Sequence, residues 1–258
     1  SAIGGGVGNV IAPASDKCFI GGGGGNRIDF SAQSVIGGGF LNTIQSNLVN
    51  TAAAESSVTA VRDFAIAWKS FAKATPPSDA ATVLRDEFII NNPYPAGQRQ
   101  MVDVTESGRT NYDTTHDKVQ KTLRTLLEAQ GYADLYMFDT TGNLVYSVMK
   151  NDDFAGNYGE GGELADTGLG RAFRAAVKLT ERGQVVYEDT AIYPISGMPA
   201  SFLATPIIDQ RGKLMGVMAF QMPVAPINQM LQDNTNLGQT GESFIVGADK
   251  LLRSDSLF

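Results

Sequence analysis

A chain of 258 residues, 43% of them hydrophobic, can bury the core of one large domain or two small ones, which excludes a disordered polymer. Acidic residues outnumber basic ones by 27 to 20, for a net charge of −7, and no run of Lys or Arg is long enough to follow a phosphate backbone, so nucleic acid is excluded as a partner. One cysteine, Cys18, rules out an intrachain disulfide and leaves the redox compartment unread.

The first region repeats. Ile3-Gly4-Gly5-Gly6 leads to Asn9-Val10-Ile11, Ile20-Gly21-Gly22-Gly23 to Asn26-Arg27-Ile28, and Ile36-Gly37-Gly38-Gly39 to Asn42-Thr43-Ile44. Isoleucines at matching places with glycines between them suggest stacked turns, each Ile filling one layer and each glycine allowing a tight corner or close backbone approach. A phosphate-cradling loop is excluded, because no Gly-Lys-Ser or Gly-Lys-Thr ending is present. Residues 1–46 resemble the short β-solenoid repeats of trimeric fibre and adhesin stalks, which implies a core shared by three chains.

Residues 47–130 read as helix, loop and helix. Val61, Phe64, Ala65, Trp68, Phe71 and Ala72 recur at spacings of three and four, predicting a helix from Asn50 to Ala74 with one apolar stripe and Trp68 in the core. Thr75-Pro76-Pro77 stops it. Val119, Leu123, Leu126 and Leu127 mark a second helix ending at Gly131, and Asn91-Asn92-Pro93-Tyr94-Pro95 forms an irregular loop between the two.

From residue 131 the period changes. Asp134 to Phe138 and Leu144 to Val148 read as strands joined by the hairpin turn Asp139-Thr140-Thr141-Gly142-Asn143. A glycine-rich loop from Gly156 to Gly162 and a helix around Leu169 to Leu179 follow, then strands at Val185 to Tyr187, Phe202 to Ile208 and Leu214 to Gln221, the last ended by Met222-Pro223. Pro226 to Leu231 suggests a connecting helix. Strands at Glu242 to Val246 and Leu251 to Arg253, around the turn Gly247-Ala248-Asp249-Lys250, repeat the earlier hairpin. The expected order is a sensor module over 131–236 and the start of a second over 237–258.

The stretches Gly131 to Asp139, Gly142 to Val148, Asp166 to Arg171, Phe220 to Pro223, and Leu237 through Ser256 resemble the periplasmic region of methyl-accepting chemotaxis proteins with tandem Cache, PAS-like modules. The resemblance implies an α+β fold, with long N-terminal helices packed on an antiparallel sheet behind the β-solenoid segment. It implies an extracytoplasmic ligand-sensing domain on the periplasmic side of the bacterial inner membrane, a dimer, and a transmembrane helix just before residue 47. A glycine-rich repeat stands in that place instead, which points to a fused segment. The longest apolar run near the end, Leu214 to Phe220, is far shorter than the ~20 residues of a spanning helix, so membrane attachment is expected through segments outside this chain.

Chemistry is sparse. Cys18 and the single histidine, His116, form no dyad, His116 is expected to meet a core carbonyl, and no metal or cofactor is expected. Asp152-Asp153 and Glu160 with Glu163 read as solvated loop charges, and no Gly-x-Ser-x-Gly elbow occurs, so an enzyme is not expected. A hydrolase using the loop carboxylates ranks last. What remains is a small-ligand pocket under the loop from Asp152 to Asp166, lined by Tyr146, Tyr187, Asp189, Tyr193 and Ser201. Asp189 would accept from an amine and Arg171 would grip a carboxylate. The competing reading is a structural or adhesive trimer carrying a globular head.

Overall fold

In the computed structural model the described residues are 55–74, 78–105, 110–223, 244–247 and 250–252, together with the backbone of six short strands between residues 2 and 45. The chain divides into Ser1–Ala54 and Glu55–Phe258.

Isoleucines mark the register of the first unit. Its strands are β1 (Ala2–Ile3), β2 (Val10–Ile11), β3 (Phe19–Ile20), β4 (Arg27–Asp29), β5 (Val35–Ile36) and β6 (Thr43–Gln45). The odd-numbered strands form one parallel sheet and the even-numbered ones another. Ile3 pairs with Ile20 and Ile20 with Ile36, while Ile11, Ile28 and Ile44 pair likewise.

In the second unit α1 (Glu55–Phe71) buries Val58, Val61, Phe64, Ala67 and Phe71, a stripe at helical spacing. It ends at Phe71, before the expected Ala74, and the expected start over residues 50–54 lies outside the described residues. Its end tightens into a turn where Lys73 N–H donates to the Ser70 carbonyl. Trp68 corrects the sequence reading, because it is half-buried. It lines a cavity of about 290 Å³ with Asp79, Asp139, Thr141 and Asn143, so the last turn of α1 lies against a polar hairpin that leaves the indole partly uncovered.

A short helix, α2 (Ala80–Arg85), was not expected. Asp79 caps it by accepting from Thr82 N–H at 2.9 Å, and it runs into a π-turn at Asp86–Ile90 that buries Phe88. A 3-10 turn at Arg99–Met101 follows. Helix α3 (Asn111–Gln130) opens with a capping box between Thr110 and Asp113 and closes on Gly131 at φ +71°, a conformation glycine adopts without strain. Its buried face carries Tyr112, His116, Gln120 and Leu127, whereas Val119, Leu123 and Leu126 are half-buried. The polar and aromatic stripe, not the leucine stripe, faces inward.

The remaining elements are β7 (Asp134–Phe138), β8 (Leu144–Ser147), α4 (Gly168–Ala176), β9 (Val186–Tyr193), β10 (Met198–Ile208) and β11 (Leu214–Met222). Helix α4 is shorter than the expected 169–179 span, while β9 and β10 are longer than the strand signals suggested. The strands form one antiparallel sheet in the order β8-β7-β11-β10-β9, which with its helices is an α+β arrangement.

Helices α1 and α3 cover one face, where the Phe64 ring stacks on Tyr146 at 4.7 Å. At Gly216 of β11 a Cβ would collide with the Phe138 carbonyl oxygen and the Val61 side chain, so only glycine allows this approach of α1. The loop after β8 and helix α4 cover the other face, over a core that includes Tyr136, Phe138, Tyr158, Phe173, Tyr193 and Phe202.

Two bulges break the strand alternation. In β8, Met137 pairs with Tyr146 and Phe138 with Leu144, leaving Val145 extra. In β9, Glu188 pairs with Phe202 and Ala191 with Ala200, leaving one extra residue on β9. Each bulge exchanges the faces of the residues beyond it.

Beyond β11 the described residues hold one antiparallel bridge, Val246 with Leu252, and Gly247 N–H donates to the Leu251 carbonyl at 2.8 Å. The expected connecting helix at 226–231 lies outside the described residues. Among the described residues no helix is long and apolar enough to cross a membrane.

Candidate functional site

The segment that leaves β8 carries the densest buried chemistry. Two of its non-glycine residues, Lys150 at φ +54° and Ala155 at φ +63°, adopt the left-handed conformation. Between them Asp153 is 1% exposed. Its Oδ2 accepts from the Tyr158 hydroxyl at 2.9 Å and the Tyr193 hydroxyl at 2.5 Å, and the two phenol oxygens lie 2.9 Å apart. Its Oδ1 is buried with no hydrogen-bond partner among the described residues. Burial raises the Asp153 carboxyl above the usual carboxylate range, against the opposing hydrogen bonds from the two phenols. Burial and the Asp153 charge push both phenols far upward, so they stay protonated and donate.

Asp134, at the start of β7, is a second buried acid. It accepts from Leu135 N–H at 2.7 Å and Met149 N–H at 3.1 Å. Burial, then the charge of Asp153, lifts its carboxyl to about 8. Beside both acids the Tyr136 hydroxyl donates to Gln221 Oε1 at 2.8 Å. The arrangement is two buried acids among three phenols with one carboxylate oxygen left unpaired. Chemically it suits a cationic hydrogen-bond donor, which would both satisfy Oδ1 and neutralise buried charge.

A buried cation lies on the helical side. Lys150 Nζ donates to the Ser147 carbonyl and to Gln120 Oε1 at 3.3 Å, and it sits 4.2 Å from the centre of the Tyr146 ring. Burial draws its ammonium down to about 7, with the Asp134 charge acting in opposition. His116 is fully buried 4.8 Å from the Phe88 ring, its Nδ1 3.4 Å from Asp117 Oδ1. Its Nε2 has no partner among the described residues, so the expected core carbonyl is not what the ring meets. Burial and the Lys150 charge hold it well below the usual histidine range. Among the described residues no group of three or more His, Cys, Asp or Glu is placed to hold a metal.

Of the six residues expected to line a pocket, Tyr193 alone joins the Asp153 cluster. Tyr146 lies on the helical face, its hydroxyl donating to Gln120 Oε1 at 2.6 Å, because the Val145 bulge turns it over. Tyr187 is 58% exposed, since it points away from Glu188 on the near side of the β9 bulge. Asp189 is exposed too, and its Oδ1 accepts from Thr190 N–H at 2.7 Å. Arg171 is occupied by Glu188 at 2.6 Å and by the Asp166 carbonyl at 2.8 Å. Ser201 is buried on β10 next to Phe202, whose side chain packs into the loop-side core; the pleat turns Ser201 to the opposite face.

Asp153, Tyr158, Asp134 and Tyr136 were not anticipated. Asp152-Asp153 read as two solvated charges, and only Asp152 is one, exposed and bonded to Arg99 at 2.7 Å. The available signal was the placement of Asp153 directly before Phe154, in a stretch that returns to aromatic residues at Tyr158.

No protein-family model matches the chain, and no curated protein matches it. Among solved structures it is similar to the sensor domain of the V. cholerae histidine kinase DctB, at 17% identity and TM-score 0.36 over 69% of this chain. The chain spans 60% of that domain's length. It is also similar to the ligand-binding domain of the Campylobacter jejuni chemoreceptor Tlp3 in complex with 4-methylisoleucine, at 12% identity and TM-score 0.39, over 80% of this chain and 70% of that one. A third is the ligand-binding domain of the Pseudomonas fluorescens chemoreceptor CtaA in complex with L-serine, at 16% identity and TM-score 0.35, over 81% and 73%.

Proposed function

We propose that residues 131–236 form a non-enzymatic, extracytoplasmic sensor module that binds a small amine-bearing ligand through Asp153, Tyr158 and Tyr193. The observation that carries this reading is Asp153 Oδ1, a buried carboxylate oxygen with no partner among the described residues, beside two phenol donors under the loop. An isolated buried charge is costly, and an ammonium group would remove the cost while the tyrosine rings favour it. Asp153 replaces Asp189 as the anchor. Membrane attachment and receptor dimerisation would come through segments outside this chain, and residues 237–258 would open a second module.

The parallel register of Ile3, Ile20 and Ile36 supports a β-solenoid over residues 1–46. A trimer of the isolated segment by light scattering would favour the fibre reading for that part.

The test is a thermal-shift titration with methylammonium, ethanolamine and putrescine, with acetate as the anionic control. A ligand at 100 times its Kd adds ~2.7 kcal/mol of apparent stability. Stabilisation by an amine that Asp153→Asn abolishes supports the reading. Equal stabilisation of the variant, or stabilisation by acetate alone, overturns it.

A further inference from the structure

The segment between β8 and Tyr158 is gripped from the helical side at alternate residues. Gln120 of α3 donates to the Val148 carbonyl at 3.2 Å. Arg99, in the 3-10 turn, donates to the Lys150 carbonyl at 3.2 Å and to Asp152 Oδ1 at 2.7 Å. Arg85, the last residue of α2, donates from one Nη1 to the Asp152 carbonyl at 2.7 Å and the Phe154 carbonyl at 2.8 Å. The side chain of Asp153 goes the other way, to the phenols of Tyr158 and Tyr193. The same few residues thus join the buried acid to α2, the 3-10 turn and α3.

We infer that residues 148–155 form a relay that reports the charge state of Asp153 to the helical layer, with Arg85 and Arg99 as its positioning residues. This rests on the reading of Asp153 as the ligand anchor. The geometry supplies the reason. The two arginines bracket Asp153, holding the carbonyls on either side of it and the carboxylate of its neighbour Asp152. Neutralising the Asp153 carboxylate removes its pull on the two phenols, and the backbone cannot shift there without moving the carbonyls of Asp152 and Phe154. Lys150 and Ala155, both in the left-handed conformation, mark the ends of this stretch, where a backbone held off its preferred geometry has an alternative to relax into.

The test needs no ligand, because Asp153→Asn removes the charge and keeps the shape. Amide hydrogen exchange is compared in the full 258-residue chain with and without Asp153→Asn, first in the native background and then with Arg85→Gln and Arg99→Gln. The expected result is a several-fold change in exchange at residues 80–101 in the native background that largely disappears in the arginine-free one, while the local change around Tyr158 persists. A purely structural role for the arginines would raise exchange equally with Asp or Asn at 153, leaving the effects additive. A remote change of the same size in both backgrounds, or none in either, overturns the relay.

If the double glutamine variant does not fold, Arg85→Lys with Arg99→Lys is measured instead. It keeps both charges on a shorter side chain whose nitrogen cannot take the place from which each Nη1 holds its two acceptors, so the remote change should shrink there too, and an undiminished one overturns the relay. The amine titration separates the two proposals. An amine response without coupling overturns the relay alone, and coupling without an amine response overturns the ligand reading alone.

Discussion

Tyr193 and Asp153, 40 residues apart in sequence, meet across the loop-covered face of the sheet with the phenol donating to the carboxylate at 2.5 Å. The contact ties the end of edge strand β9 to the segment leaving the opposite edge strand, β8. The β9 bulge makes it possible, because it turns Tyr193 inward although Tyr187 of the same strand points to solvent.

Tyr193→Phe should therefore cost ~1–3 kcal/mol, the usual consequence of removing one partner from a buried charge-assisted hydrogen bond. The measurement is the urea midpoint at unchanged slope. Tyr187→Phe, at an exposed position, should lie within about 0.5 kcal/mol of the native chain. Equal effects at the two tyrosines would contradict the packing described.

Stability should pass through a minimum near pH 7–8. Asp134, lifted to about 8, keeps its proton when folded, whereas an unfolded aspartate loses it near pH ~4. Its contribution is full below the unfolded value and is lost as pH rises to about 8, at on the order of 1 kcal/mol per pH unit. Lys150, drawn down to about 7, is neutral in the folded protein over a range where the unfolded chain still binds the proton, so stability recovers from about 7 towards the ordinary lysine value. Asp134→Asn should flatten the acid-side slope. Denaturant midpoints across this range decide it, and an unchanged slope in Asp134→Asn would assign the effect to another group.

Phe64→Ala should be much more damaging than Trp68→Ala. Phe64 is fully buried and stacked on Tyr146, so its loss should cost ~3–5 kcal/mol. Trp68 is half-buried beside a surface cavity, and its loss should cost less than about 2 kcal/mol. Thermal denaturation of the two variants gives the order, and a reversed order would place the indole back in the core.

Gly216→Ala should destabilise by ~1–3 kcal/mol or more, because the new methyl must push apart β7 and β11 or displace Val61 of α1. Val61→Ala in the same chain should recover part of the loss, as it relieves the side-chain half of the collision and leaves the Phe138 carbonyl. No recovery in the double variant would show that the carbonyl clash accounts for all of it.

The sequence by itself determined the kinds and order of the longer elements, though not the short helix α2 and the turns after it. Apolar spacing located α1, the capping pair Thr110 and Asp113 agrees with the start of α3, and β-branched and aromatic runs located β7, β8, β10 and β11. These signals are local, because each rests on a periodicity or a backbone requirement within a few residues. The site was decided by the tertiary structure. One extra residue in β8 and one in β9 exchange the faces of Tyr146, Tyr187 and Tyr193, and a bulge is a property of pairing between strands that no single strand pattern records. The burial of Asp153 was likewise decided by tertiary contacts, with only its place before Phe154 to hint at it. Asp152 and Asp153 are the same residue type side by side, and what separates them is that one points to Arg99 at the surface while the other meets two phenols supplied from up to 40 residues away.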